Sequence, residues 1–308
     1  MELSYAQNLE DYHLAQIFAG QKQGFYIDIG GGHPVADNVS FWFYLQGWHG
    51  LVVEPQARLA ALYPHVRPRD TVLCTLVSER VGEMDFHEVE RLHGFSTTVA
   101  RYAEGAGEFG ASFRTERKPV TTLAALCEAH QLRTIDFLKV DVEGAEAQVL
   151  RGGDWRRWRP RVVVVEAVAP GSMTPSHAEW EPLLVSQGYH FAFFDGLNRF
   201  YVADEAAELL VRFPSEKAPW NVVRHLYEFG RAPENPEHPD HLLARALVNG
   251  FLAALPTLDR GFLRSLAARR EDEAAAAAWK AAEDDPDRLG AALGRIAACY
   301  DGGQLLDN

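Results

Sequence analysis

Phe25, Tyr26, Ile27, Asp28, Ile29, Gly30, Gly31 and Gly32 are the stretch on which the reading of this chain turns. An apolar, β-prone run enters three consecutive glycines, the pattern of a buried strand that ends in a tight turn. Glycines there also let the backbone approach a ligand closely. Downstream, residues 50–53 form a second short apolar run that closes on Glu54 and Pro55. It follows an amphipathic stretch containing Trp42, Phe43, Tyr44 and Leu45. Residues 71–77 read as a third strand, and 84–89 alternate as an edge or hairpin strand. Residues 122–130 read as a helix capped by Thr122, since Leu123, Leu126 and Cys127 share a face. Residues 135–140 are a buried strand with a helix beginning at 146–150. Residues 162–165, all valine, read as a strand covered on both faces. Tyr189–Phe194 and residues 199–202 make a terminal hairpin around the turn Asp195, Gly196, Leu197, Asn198. Strands alternating with helices predict an α/β fold: a doubly wound, mostly parallel seven-stranded sheet with its last pair antiparallel.

A chain of 308 residues, 47% hydrophobic and 24% charged, suits a large globular domain with an appendage. Pro233, Pro236 and Pro239 in a polar stretch predict a linker at 232–241. It would separate a domain of residues 1–231 from a helical appendage, 242–308. In that appendage residues 242–254, 260–279 (with a break) and 287–300 carry helical periodicity, and their apolar faces offer a contact for a homo-oligomer. A net charge of −13 excludes broad nucleic-acid binding, which needs cations to displace phosphate counterions. The one basic run, 155–161, reads either as a solvated loop before a strand or as a contact to an anionic acceptor or membrane surface. Cys74, Cys127 and Cys299 include no CxxC pair, which excludes a disulfide framework or a zinc knot. Residues 1–18 lack the apolar core of a signal peptide, and no apolar run reaches the length of a membrane span. The expectation is a cytoplasmic protein.

In open α/β sheets, ligands bind beyond the carboxyl ends of the strands, where strand order reverses. Asp28, Gly30, Gly31 and Gly32 lie at that edge on the first strand. Glu54 ends the second, where an acid can accept hydrogen bonds from both hydroxyls of a ribose. The dinucleotide fingerprint asks for a third small residue, and Val35 stands in its place. Pro34 and Asp37 also suit a pyrophosphate poorly. A ligand with a ribose and no phosphates fits better, and S-adenosylmethionine is such a ligand, its positive charge suiting the nearby Asp28. The most specific segment is Asp136, Phe137, Leu138, Lys139, Val140, Asp141, Val142, Glu143, Gly144, Ala145, Glu146. It crowds acids at a strand end, and Glu166 ends the next strand at the same crevice. Glu146 also reads as dipole compensation in a first helical turn. Acids that share a pocket raise one another's pKa, which turns a carboxylate into a base. Asp141 is the first choice for that base and Glu166 the second. Alternatively, Asp141, Glu143 and Glu166 present the oxygen ligands that Mg²⁺ takes. His33, with an ordinary pKa near neutrality, is a further candidate base.

These residues resemble the FkbM family of S-adenosylmethionine-dependent methyltransferases. The matching pieces are residues 5–11, 26–30, 47–50 with Glu54 and Pro55, 94–97, 136–146 and 195–202, in order, across roughly 4–223. The resemblance implies a class I methyltransferase fold and O-methylation, often of sugars in polysaccharides or natural products. It implies cofactor contacts from Asp28, Gly30, Gly31, Gly32, Glu54, Pro55 and Asp141, with Ser78 near the adenine. Asp141, Glu143 and Glu166 would line the methyl-transfer pocket, and Asp195 and Asn198 would contact a sugar or glycoconjugate acceptor. One departure is the first loop, where the family often has Ala-Asn after its glycine and this chain has Gly31, Gly32, His33. Two other readings stay open: an NAD-dependent sugar oxidoreductase, and a non-catalytic assembly module that keeps the cofactor fold.

Overall fold

A computed structural model of the chain describes residues 1–89, 93–105, 107, 110–172, 174–267, 273–298 and 300. Cys299 and residues 268–272, within the expected helical stretch 260–279, lie outside the described residues. The chain divides into two compact units, Met1–Leu226 and Tyr227–Asn308.

The first unit holds twelve described strands: β1 (Leu3–Ser4), β2 (Phe25–Ile29), β3 (His49–Val53), β4 (Thr71–Leu73), β5 (Leu76–Val77), β6 (Gly82–Val89), β7 (Phe113–Thr121), β8 (Phe137–Val140), β9 (Val162–Glu166), β10 (Tyr189–Phe194), β11 (Asn198–Ala203) and β12 (Arg224–His225). Seven of them form one sheet in the order β10-β11-β9-β8-β2-β3-β4. Its strands run parallel except β11, which is antiparallel to both neighbours. This is the mostly parallel α/β sheet expected of a class I methyltransferase. Strand periodicity explains why both faces are dry. Ile27, Ile29, Leu51, Val53, Leu138, Val140, Val163 and Val165 enter one core. Their alternates Tyr26, Val52, Phe137, Val162 and Val164 enter the other, against Phe43 and Trp48.

Strand order reverses between β2 and β8. From β2 the chain moves outward to β3 and β4, and it returns to β8 on the other side before reaching β9. The crevice at their carboxyl ends is therefore the expected ligand position. Gly30 marks this junction. With φ of +84°, an added Cβ would lie 1.7 Å from the Asp141 carbonyl oxygen, so no side chain fits where the two strand ends meet.

The stretch 71–77 is not one strand. It breaks at Cys74 and Thr75, so that β4 edges the large sheet while β5 joins a separate sheet in the order β5-β7-β6. The alternating segment at 84–89 also belongs there, paired antiparallel with β7. Strand β7 had no clear signature in the sequence, because it is charged and largely exposed, with Arg114, Glu116, Arg117 and Lys118 among its nine residues. The Thr122 cap is present: its hydroxyl oxygen accepts the Ala125 N–H at 3.1 Å and starts the helix Leu123–Ala129. The basic run before β9 is structural. Trp155 and Trp158 are buried, and Arg157, Arg159 and Arg161 pair with Glu128, Glu205 and Asp136.

In the second unit, helices His241–Ala254, Arg260–Ala267, Glu273–Glu283 and Pro286–Ala297 follow the predicted periodicity. Leu255, Leu263, Leu289 and Leu293 form their core. Asp285 caps the last helix by accepting the Asp287 and Arg288 N–H groups. No helix among the described residues is long and apolar enough to cross a membrane.

Candidate active site

A cavity of about 440 Å³ opens at the reversal point, within the range of small-molecule sites. Glu54, just past the end of β3, forms one side. It is only 2% exposed, and its two oxygens accept N–H groups from Gly32 and Gln56, each at 2.7 Å. Burial pushes its pKa up to about 7 against the opposing pull of these donors. A carboxylate has about four lone-pair sites, so each Glu54 oxygen keeps capacity for one more donor. Val53, Leu76, Val77, Phe86 and Val142 supply an apolar wall beside it, and Pro55 also lines the space.

Further acids line the same cavity. Asp141 follows β8, and its Oδ2 takes the Lys139 ammonium at 2.7 Å. Lys139 itself is 4% exposed. Glu143 has left-handed backbone, φ 55°, a conformation that costs a side-chain-bearing residue of order 1 kcal/mol and tends to be kept where function needs it. Gly144 follows at φ +95°, where a Cβ would strike the Tyr102 ring at 2.3 Å. The Thr97 hydroxyl donates to the Glu143 carbonyl at 2.7 Å and helps hold this turn. Glu146 caps the turn, accepting the Val142 and Gly144 N–H groups. Glu166 ends β9, buried to 7% exposure, and its Oε2 has no hydrogen-bond partner. One oxygen from each of Asp141, Glu143 and Glu166 lies within 4.8 Å of the others. Burial, then the charges of Asp141 and Glu146, holds the Glu143 carboxyl well above the usual range. Burial, Asp141 and Glu143 do the same to Glu166, while Lys139 opposes both shifts.

Residues 28–191, more than half the chain, match the family described as the methyltransferase FkbM domain. The chain belongs to the FkbM family. A curated relative, methyltransferase sdnD of Sordaria araneosa, is 48% identical over 59 residues, 19% of this chain and 22% of that protein. The chain thus matches less than a quarter of that relative's length. Among solved structures, a TehB-like SAM-dependent methyltransferase from Corynebacterium glutamicum aligns with 63% of this chain and 88% of its own, at 9% identity and a TM-score of 0.36.

The FkbM match encloses Glu54, Asp141, Glu143 and Glu166, which the fold brings into one cavity along with Gly30, Gly32 and His33. Other expected site residues stand behind its wall. Asp28 is 2% exposed and takes the Ser40 hydroxyl at 2.6 Å. The Gly31 carbonyl points to Asn38 and Tyr63, and a Cβ at Gly31 would meet Val52 at 2.3 Å. Ser78 hydrogen-bonds to Thr121 and presses its carbonyl on Gly152, so Leu76 and Val77 line the cavity in its place. Asp195 and Asn198 are wholly buried. Asp195 accepts the Leu197 and Asn198 N–H groups of its own turn, and the Asn198 amide donates to Glu10 at 2.6 Å. Of that turn, Leu197 reaches the cavity. His33 uses Nδ1 to accept the Val35 and Ala36 N–H groups. A neutral ring in that state carries its proton on Nε2 and is a donor there rather than a base. Lys139 and Gln7 are functional candidates that the sequence reading passed over. A lysine inside an otherwise apolar strand was the available signal for the first, and membership of the family-like piece 5–11 was the signal for the second.

Proposed function

We propose that this chain transfers a methyl group from S-adenosylmethionine to a hydroxyl oxygen of a sugar or glycoconjugate acceptor. One observation carries the reading. Glu54, with hydrogen-bonding capacity to spare, and the acids Asp141, Glu143 and Glu166 face a single cavity at the reversal point of an FkbM-family sheet.

The residues present fit the cofactor. Glu54 has the free lone pairs to hold two ribose hydroxyls, and Leu76, Val77 and Phe86 offer an apolar face for a base. At Gly32 nothing lies within 4 Å of where a Cβ would stand, which leaves room in front of the loop. When bound, S-adenosylmethionine supplies an electrophilic methyl group on a positively charged sulfur, and an acidic wall favours such a cation. Gln7, Ser96 and Thr98 also line the cavity and provide side-chain hydrogen-bonding groups of the kind a polyhydroxy acceptor needs.

Alignment of acceptor and methyl group is worth roughly 7–11 kcal/mol. A positioned base adds about 10²–10⁴-fold. The Lys139 ammonium already occupies Asp141 Oδ2, so the role of base passes to Glu166, which no cation among the described residues touches and whose carboxyl is held well above the usual range by burial. A nicotinamide dinucleotide fits less well. After Gly32 the chain runs through turns, and the next helix is the five-residue Phe41–Leu45. The loop therefore opens no helix N-terminus on which a pyrophosphate could rest.

The test is a thermal-shift comparison of S-adenosylmethionine with NAD, followed by mass spectrometry of mono- and oligosaccharides incubated with the chain and S-adenosylmethionine. S-adenosylmethionine should raise the melting temperature and NAD should not, since a ligand that binds only the folded state stabilises it. One methyl group should appear on a sugar. No stabilisation by S-adenosylmethionine at saturating concentration would overturn the proposal.

A further inference from the structure

We infer that Asp141, Glu143 and Glu166 form a site for one hard divalent cation that holds the acceptor hydroxyls beside the methyl-transfer position; the second half of this inference rests on the reading above.

Three features support a cation. The first is distance. Two oxygens on opposite sides of an ion stand at most twice the bond length apart, about 4.1 Å for Mg²⁺ and about 4.6–5.2 Å for Ca²⁺. The three carboxylates offer oxygens within 4.8 Å of one another, close enough for side-chain adjustment to bring all three onto one ion of this size.

The second is an unanswered acceptor. Glu166 Oε2 is buried and makes no hydrogen bond, although Glu166 is only 7% exposed. A buried carboxylate oxygen with no donor costs free energy unless something positive meets it. Glu166 is one of the three clustered carboxylates and lines the cavity, and its Oε2 has no partner among the described residues.

The third is charge. Lys139 is the cation that opposes the raised pKa of Glu143 and Glu166, and it already holds Asp141 Oδ2. With Glu146 also acting on both, carboxylates outnumber this ammonium, and a divalent ion offsets the excess of acid. The other Asp141 oxygen stays available to it.

The chemistry follows from the donor set. All-oxygen ligands select Mg²⁺, Mn²⁺ or Ca²⁺ over softer metals. Three protein ligands out of six to eight leave open positions for adjacent hydroxyls of an acceptor. Each carboxylate supplies one ligand atom, so the second oxygen of Glu166 can still take the hydroxyl proton.

The test uses the full chain, stripped with a chelator and desalted, and titrates Mn²⁺ by electron paramagnetic resonance with and without S-adenosylmethionine. One Mn²⁺ per chain is expected in both cases, displaced by excess Mg²⁺ or Ca²⁺. Glu166→Gln and Glu143→Gln should each weaken Mn²⁺ by at least about a hundredfold, at or above the upper range for loss of a group supporting a metal ligand. Glu54→Gln should weaken S-adenosylmethionine and leave Mn²⁺ bound. Circular dichroism melts verify that the variants are folded, and the titration of the parent needs no variant. Absence of Mn²⁺ binding to the parent at millimolar concentration overturns the site, as does unchanged binding in Glu166→Gln. Methyl transfer that persists in chelator without Mn²⁺ binding refutes the cation and leaves the methyltransferase reading standing. Mn²⁺ binding without transfer to any hydroxyl supports the site and removes its assigned role.

Discussion

At Glu54, two backbone N–H groups and a buried setting hold a carboxylate with one free lone pair on each oxygen. Glu54→Ala should therefore weaken S-adenosylmethionine by about 1.5–3 kcal/mol, the range for hydrogen bonds to a charged group, as read by calorimetry. The pKa of about 7 adds a pH dependence. Only the ionised form accepts from both hydroxyls at full strength, so affinity should rise as pH passes upward through about 7 and fall below it. Calorimetry on either side of that value checks the sign, and a flat profile in the parent would remove the assignment. The two acids nearest the proposed chemistry should behave differently. Glu166→Gln should slow methyl transfer by about 10²–10⁴-fold and leave cofactor affinity intact. Asp141→Asn should also cost stability, at least about 1–3 kcal/mol, because it strips the buried Lys139 ammonium of its hydrogen-bonded anion. Denaturant unfolding distinguishes them: equal stability of the two variants would mean that the Lys139 pair has no structural weight.

At the scale of elements, the meeting of β2 and β8 makes unequal demands on adjacent glycines. Gly30→Ala places a methyl group 1.7 Å from the Asp141 carbonyl oxygen, which only a shift of one strand can relieve. It should destabilise the fold by more than about 4 kcal/mol or prevent folding. Gly32→Ala meets nothing within 4 Å but keeps φ at +57°, so its cost should be about 1–2 kcal/mol of left-handed strain. Comparable unfolding midpoints for the two variants would show that the strand junction is softer than its geometry implies. The same junction separates what could be read along the chain from what could not. Runs such as Phe25–Ile29 and the four valines of β9 announce themselves, because burial on both faces demands uninterrupted apolar residues. In the β5-β7-β6 sheet only β6 does so, because β5 is two residues long and four of the nine residues of β7 are charged.

Over the whole molecule, buried acids set the response to pH. Burial raises Asp11 from 3.8 to about 6 and Glu54 from 4.5 to about 7. The folded chain thus binds these protons more tightly than the unfolded one, and ∂ΔG/∂pH is negative across that window. Their contribution is fully present below about pH 4 and is lost as pH rises through 6 and then 7. The free protein should unfold at lower denaturant near neutrality than in mild acid, and S-adenosylmethionine or Mn²⁺ should reduce the difference. The division into two units adds a second expectation: a chain ending at Arg231 should fold and bind cofactor, as judged by a cooperative melt and calorimetry. Insoluble protein from that truncation would make residues beyond 231 part of the first unit's core. By itself the sequence determined the α/β alternation, the glycine turn and the placing of acids at strand ends, since apolar runs, turn residues and β-branched stretches act over a few neighbouring positions. Only the tertiary structure decided which acids face the cavity. Asp28 turns to Ser40, and Asn198 turns to Glu10, 188 positions away, whereas the left-handed turn at Glu143 and the ends of β8 and β9 gather Asp141, Glu143 and Glu166. A side chain's direction at a strand end is set by backbone angles and by partners distant in the chain, and neither is written in the residues beside it.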